Sequence, residues 1–186
     1  MAESMWNDKN FVLSAIATDK NVWALMSPEL KADPEFVLQI MKVNKELRED
    51  RTVVLEAVKA NAEIFPYLGE EYKVDKEIVE EAVKQKGSML KYVSDKLKQI
   101  KEVVLDAVKS DGNALKYADI ELRENEEVVL EAVKNDGTAL KYAGENLTNK
   151  EEIVLEAVKS NGNALKYAGK ELRGKSEIVI EAMKDK

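Results

Sequence analysis

The sequence predicts an all-α fold, an α-solenoid of 25-residue repeats with one longer helix and one short helix per unit. Three observations predict it. The string VVLEAVK at Val53 returns in close copies starting at Ile78, Val103, Val128, Ile153 and Ile178, always 25 residues further on. Within each copy the apolar residues recur at helical spacing, not in the alternation of a strand. Ala, Glu, Lys, Leu and Val dominate, Pro occurs 3 times and charged residues make up 35% of the chain, which is the composition of a helical protein. A period of this length marks units that cannot hide their apolar face alone and must stack on their neighbours.

Taken in order, Phe11 (FVLSAIA) and Phe36 (FVLQIMK) start two earlier copies, also 25 apart. Units therefore begin near 11, 36, 53, 78, 103, 128, 153 and 178, and residues 1–186 read as a single helical-repeat domain. The step from Phe36 to Val53 is only 17 residues, so the unit at 36 is shortened. A regular unit, Val103 to Glu127, reads VVLDAVKSDGNALKYADIELRENEE. Its first apolar group forms a wide helical stripe. Asp33-Pro34-Glu35, Asp50, Asp75 and Asn125 mark the starts of such helices, by side-chain capping and, at Pro34, by a proline allowed at the first position. The long helices are expected at 34–44, 51–60, 76–86, 101–111, 126–136, 151–161 and 176–185. Gly87, Gly112, Gly137 and Gly162 follow them and are expected in the left-handed conformation that ends helices. Asn113, Thr138 and Asn163 then cap the short helix, ALKYA in its commonest form, which Gly144 and Gly169 end in two units. The ELR that follows reads as one further turn carrying a single inward Leu.

Composition narrows the function. His and Cys are both absent, which removes histidine-based nucleophile activation, thiolate metal sites and disulfides. We expect no enzyme, no catalytic residues, no metal ligands and no cofactor. The net charge of -7 argues against coating nucleic acid by phosphate neutralisation. No apolar window is long enough to cross a membrane, and the first ten residues, MAESMWNDKN, do not read as a signal peptide. A cytoplasmic location is expected, or a host cell if the protein is an effector.

The signature EVVLxAVKxxGxALKYAxxELRxxxE, as it stands at Glu102–Glu127, Glu127–Glu152 and Glu152–Glu177, resembles a tandem helical-repeat family known only as a domain of unknown function. The resemblance is strong from Val53 onward and weaker, but in phase, from Asn7 to Thr52. It implies a helical repeat of intracellular bacteria, protists and large viruses, with effectors suspected among its carriers, and it brings no catalytic residues. The chain is more distantly similar to the leucine-rich repeat variant, which implies that the second helix is 3-10 in part.

Several features have a functional and a structural reading. Tyr67, Tyr92, Tyr117, Tyr142 and Tyr167 form a column that is either an aromatic ladder or interhelical packing, and its step with the core Leu and Ala favours packing. Lys59, Lys84, Lys109, Lys134, Lys159 and Lys184 form one basic column, and Lys91, Lys116, Lys141 and Lys166 another. Carboxylates three residues before the first column favour a solvated face over a grip on an anionic polymer. Glu80 stands where other units have Leu or Ile and needs either exposure or a partner such as Lys84. Asp111-Gly112 and its equivalents lack the context of a phosphate-binding loop.

The shortened unit is the most informative irregularity. The eight places that elsewhere hold the glycine, the second helix and its stop are missing between Asn44 and Lys45. The segments that flank the gap, VWALM at Val22–Met26 and IFPYL at Ile64–Leu68, depart most from the repeat. Trp and Met are frequent anchors of interaction surfaces. Trp23, Met26, Phe65 and Tyr67 are therefore the candidate partner-binding residues, with Trp23 expected to be partly buried beside a shallow groove. The simpler reading is that bulky rings fill the vacated volume. The expected function is a non-catalytic protein-binding scaffold or effector module, with another protein as partner. The alternative is nucleic-acid binding, or an acidic inhibitor of a nucleic-acid enzyme. Val179, Ile180, Ala182 and Met183 suggest an apolar face, and hence self-association, through the helix at 176–186.

Overall fold

The computed structural model describes residues 5–184, and among these no strand occurs. Contacts divide the chain into two compact units, Met1–Ala82 and Val83–Lys186. Both are built from helices packed in series, the arrangement of an α-solenoid.

In residues 83–184 each 25-residue step contains three helical pieces. A ten-residue helix (Lys101–Ser110, then Glu126–Asn135 and Glu151–Ser160) is followed by a six-residue 3-10 helix (Gly112–Tyr117, Gly137–Tyr142, Gly162–Tyr167) and a four-residue α-helix (Ile120–Arg123, Glu145–Thr148, Lys170–Arg173). In these residues the second helix of the repeat is thus wholly 3-10. The long helices bury Val103, Val104, Ala107 and Val108 and their equivalents against the helices on either side. Each such aliphatic side chain contributes roughly 1.5–3 kcal/mol on leaving water. The 3-10 helices add Ala114 and Leu115, both fully buried, and stack on one another as well as on the long helices before and after them. Backbone bonds between successive repeats complete the stack: Gly144 N–H donates to the Arg123 carbonyl at 2.9 Å and Gly169 N–H to that of Thr148 at 2.8 Å.

The glycines correct a sequence expectation. No described residue has a positive φ, so Gly112 and its equivalents do not end the long helix in the left-handed region. Each instead opens the 3-10 helix, and in three of the four the residue before it does the capping: Asp111 Oδ1 accepts from Asn113 N–H at 3.0 Å, Asp136 Oδ1 from Thr138 N–H at 2.8 Å and Asn161 Oδ1 from Asn163 N–H at 3.0 Å. Asn113, Thr138 and Asn163 are therefore not the caps. Glycine is required for a different reason, close approach between repeats. A Cβ on Gly112 would collide with the carbonyl oxygen of Ala132 in the next long helix, and one on Gly137 with that of Ala157. Gly144 and Gly169 precede the short α-helices and do not terminate the 3-10 helices.

Residues 5–82 follow the same plan with one step broken. The long helices are Lys9–Ile16, Pro34–Val43 and Arg51–Ala60. Asp33 caps the second through Phe36 N–H at 3.0 Å, and Asp50 caps the third through Thr52 N–H at 3.0 Å. The first repeat has an α-turn, Val22–Leu25, where later repeats have a 3-10 helix, and the third has the 3-10 helix Ala62–Tyr67. The second passes directly from Pro34–Val43 to the short helix Lys45–Glu49.

Candidate functional site

Asn44 makes that shortcut workable. It ends the long helix and, in the same conformation, begins the short one, its Oδ1 accepting from Glu46 N–H at 3.0 Å and Leu47 N–H at 3.4 Å. Its Nδ2 donates to the carbonyl of Ile16 at 2.7 Å, tying the splice to the end of the first long helix. Asn44 is a buried polar residue, and each side-chain atom has a partner, which is the condition for burying an amide without penalty. The other bond of the stack is also substituted. The carbonyl of Arg48, equivalent in the repeat to those of Arg123 and Thr148, accepts from the Tyr72 hydroxyl at 2.8 Å. Burial first, and then the carboxylates of Glu71, Asp50, Glu49 and Asp75, hold that phenol above its ordinary pKa.

With one 3-10 helix missing, the first repeat meets the third. The short helix Pro28–Lys31 packs on Arg51–Ala60, and Trp23 Nε1 donates to Glu56 Oε2 at 2.7 Å. The ammonium of Lys31 lies over the indole, 5.4 Å from its centroid. The expected partial exposure of Trp23 is not found: it is 4% exposed, Met26 is also 4% and Phe65 is 0%. These three stand at places that the regular repeats also bury, there with the smaller Leu115 and Ala118, and their extra bulk packs where the deletion left neighbours wanting. Tyr67, at 72% exposed, is the one candidate that faces outward.

Closure is incomplete on the other side of the Pro34–Val43 helix. The 3-10 helix Ala62–Tyr67 leans back onto that helix, yet an open groove of about 410 Å³ remains. Its floor is Leu38, Met41 and Leu68, its wall Tyr67, and its rim Lys42 and Arg48. The long helix before it, the short helix and the following 3-10 helix all contribute to the groove, which therefore borders the place of the deleted 3-10 helix. Lys42 and Arg48 were not singled out from the sequence. The signal was present, since both flank the deleted segment.

The tyrosine column shows why Tyr67 is special. In residues 83–184 each ring carries a lysine: Lys91 over Tyr92 at 5.4 Å, Lys116 over Tyr117 at 4.8 Å, Lys141 over Tyr142 at 4.7 Å and Lys166 over Tyr167 at 4.9 Å. Lys116 also reaches Tyr142 at 6.0 Å, bridging two repeats. Such contacts are each worth about 0.5–1 kcal/mol at exposed sites. Tyr67 has Pro66 in place of that lysine and no 3-10 neighbour behind it. Three members of the first lysine column pair with the carboxylate three residues before them: Lys134 with Glu131 at 3.6 Å, Lys159 with Glu156 at 2.8 Å, and Lys184 with Glu181. Glu80 pairs with Lys76 at 3.5 Å, whereas Lys84 turns to Asp106, also at 3.5 Å.

In the helix Ser176–Ala182, Ile178 is buried while Ile180, and Met183 just past the helix end, are exposed; Asp185 and Lys186, within the span expected to self-associate, lie outside the described residues. Among the described residues no group of His, Cys, Asp or Glu is placed to hold a metal ion, and no helix is long and apolar enough to cross a membrane.

A family described as a domain of unknown function, DUF4116, matches the chain in tandem at residues 8–49, 50–98, 100–148 and 150–186. No curated protein and no solved structure matches it.

Proposed function

The chain belongs to the DUF4116 family, and we propose that it is a non-catalytic protein-binding scaffold, an adaptor or effector module, whose partner seats in the groove of the shortened repeat. The observation that carries this reading is Tyr67. It is an aromatic ring 72% exposed beside an apolar floor, at a place where every later repeat covers the ring with a lysine. Aromatic side chains beside concave apolar surface are where binding energy concentrates at interfaces once a partner buries them. A photo-crosslinking residue at Lys42 and a control at Lys150, each used in extract from the source cells, test it. Capture of a protein at Lys42 that is lost with Tyr67→Ala supports the groove. Equal capture at both positions, insensitive to Tyr67, overturns it.

A second reading has its own observation. Lys91, Lys116, Lys141 and Lys166 form a column that rests on tyrosines and not on carboxylates, the pairing of base-stacking and phosphate-binding groups seen in single-strand binders. The net charge of -7 weighs against it. Fluorescence anisotropy with a labelled single-stranded oligonucleotide, at low and at physiological salt, distinguishes the two readings. Salt-sensitive binding lost in a Lys116→Glu, Lys141→Glu variant favours nucleic acid.

A further inference from the structure

Resting on the groove reading above, we infer that the occupant is a short acidic segment of a partner protein, folded as a single tight turn with adjacent aliphatic side chains pointing inward. Three features of the groove specify it.

The first is shape. In residues 83–184 the corresponding place holds a six-residue 3-10 helix that buries an adjacent apolar pair, Ala114–Leu115 or Ala139–Leu140, between two long helices. At the second repeat that helix is missing, the 3-10 helix Ala62–Tyr67 packs directly on Pro34–Val43, and the groove is the space this contact leaves open. At about 410 Å³ the groove is at the lower end of ligand-site volumes, which run roughly 300–1,000 Å³. It takes one turn of chain and a pair of side chains, not a long helix or a flat domain face.

The second is charge. The chain has 36 acidic against 29 basic residues, yet the groove is lined by two cations and no carboxylate. Neither Lys42 nor Arg48 makes a side-chain ion pair among the described residues, whereas Lys9, Lys20, Lys45, Arg51, Lys73 and Lys76 of the same unit all do. Cations left unpaired at the rim of an apolar site select a partner carrying carboxylates beside its apolar anchors. The chain's own 3-10 segments place lysine next to the tyrosine, so one of them would bring a third cation to this rim. The fitting ligand is thus the chain's own motif with its charge inverted.

The third is the wall. Tyr67 presents a ring face with no cation over it, which is free to pack on an inserted aliphatic side chain, and its hydroxyl remains available to a partner carbonyl or carboxylate.

Two fluorescein-labelled peptides test the inference on the intact protein. Both carry the same Ala-Leu pair and a following Tyr; one is flanked by aspartates, the other by lysines. The aspartate peptide should bind at least about tenfold more tightly, since two rim ion pairs contribute roughly that much. The preference should vanish in Lys42→Glu, Arg48→Glu, and an unchanged far-ultraviolet dichroism spectrum and melting temperature for that variant would show that the fold is intact. Equal binding of both peptides, or of neither while crosslinking at Lys42 still depends on Tyr67, overturns the acidic turn but leaves the groove reading standing. Loss of the Tyr67 dependence as well takes the groove with it. Tighter binding of a single-stranded oligonucleotide than of the aspartate peptide, with the same dependence on Lys42 and Arg48, overturns the inference in favour of nucleic acid.

Discussion

Tyr67 and Tyr117 occupy the same place in their repeats and have opposite surroundings. Tyr117 is half-buried, with Lys116 over its ring and 3-10 helices on both sides of its own. Tyr67 stands 72% exposed beside Pro66, with the neighbouring 3-10 helix deleted. The difference shows what regularity does in a repeat protein. In residues 83–184 successive 3-10 helices stack directly on one another, and the fit is close, down to a glycine under a carbonyl. Where residues 5–82 omit one element, the flanking segments close over it in part and leave the groove beside Tyr67. A solenoid whose stability is a sum over neighbouring interfaces can absorb such a break without losing its fold.

The sharpest way to break the comparison is through Trp23. If it fills volume vacated by the deletion, Trp23→Ala should destabilise the protein by roughly 3–5 kcal/mol in chemical denaturation, the usual loss for a core aromatic. The hydrogen bond to Glu56 goes with it. A loss below about 1 kcal/mol, the level of an ordinary surface substitution, would mean that the first and third repeats do not depend on this contact.

The regular half is tested by volume in the other direction. Ala132 is fully buried, and its carbonyl meets the backbone of Gly112 across the repeat interface. Ala132→Leu should overpack that interface and cost roughly 1–3 kcal/mol. Gly112→Ala should fall in the same range, because its Cβ meets backbone and not a flexible side-chain end. Unchanged melting curves for both would show that the interface is looser than the close approach implies.

How much of this was legible in the chain follows from what kind of signal each feature carries. The repeat, its period, the long helices and the missing segment are written in identities at fixed spacing, and the expected helix at 51–60 is found at Arg51–Ala60. The role of Gly112 was not legible. A glycine after a helix suggests a left-handed terminus, and only the position of the next repeat's Ala132 carbonyl shows that the constraint is contact between units. The gap pointed to the segments that border the groove, but Trp23 and Tyr67 could not be told apart there. Both are aromatic and both flank the deletion. Which one turns inward depends on Glu56, 33 residues away, being in reach of the indole N–H.

A smaller effect separates the two kinds of repeat contact. Where regular repeats join by a backbone N–H to a carbonyl, the shortened one uses the Tyr72 hydroxyl on Arg48. Tyr72→Phe leaves that carbonyl short of a donor and should cost about 1 kcal/mol. It should also change the response to alkali. The phenol's pKa is raised in the folded protein, so its contribution is complete below the ordinary tyrosine value of about 10 and is lost as pH rises through the folded value. Stability should therefore fall less steeply above about pH 10 in Tyr72→Phe than in the natural protein, as read from urea midpoints. An equal slope in the two would remove Tyr72 from the account.

The least expected effect on stability belongs to the residue with the largest expected effect on binding. Tyr67→Ala removes a ring that is mostly in water, has no cation over it and caps no helix, so its removal should alter stability by less than about 0.5 kcal/mol. Tyr117→Ala, by contrast, removes a ring held by Lys116 and flanked by packed 3-10 helices, and should cost more. If the groove serves a partner, the order reverses in binding: Tyr67→Ala weakens the complex by more than about 1 kcal/mol and Tyr117→Ala leaves it nearly unchanged. The pair measured side by side, by thermal denaturation and by titration with the aspartate peptide, separates a ring kept for packing from a ring kept for contact. Matching losses in both measurements would make Tyr67 one more member of the column and leave the deletion without a function.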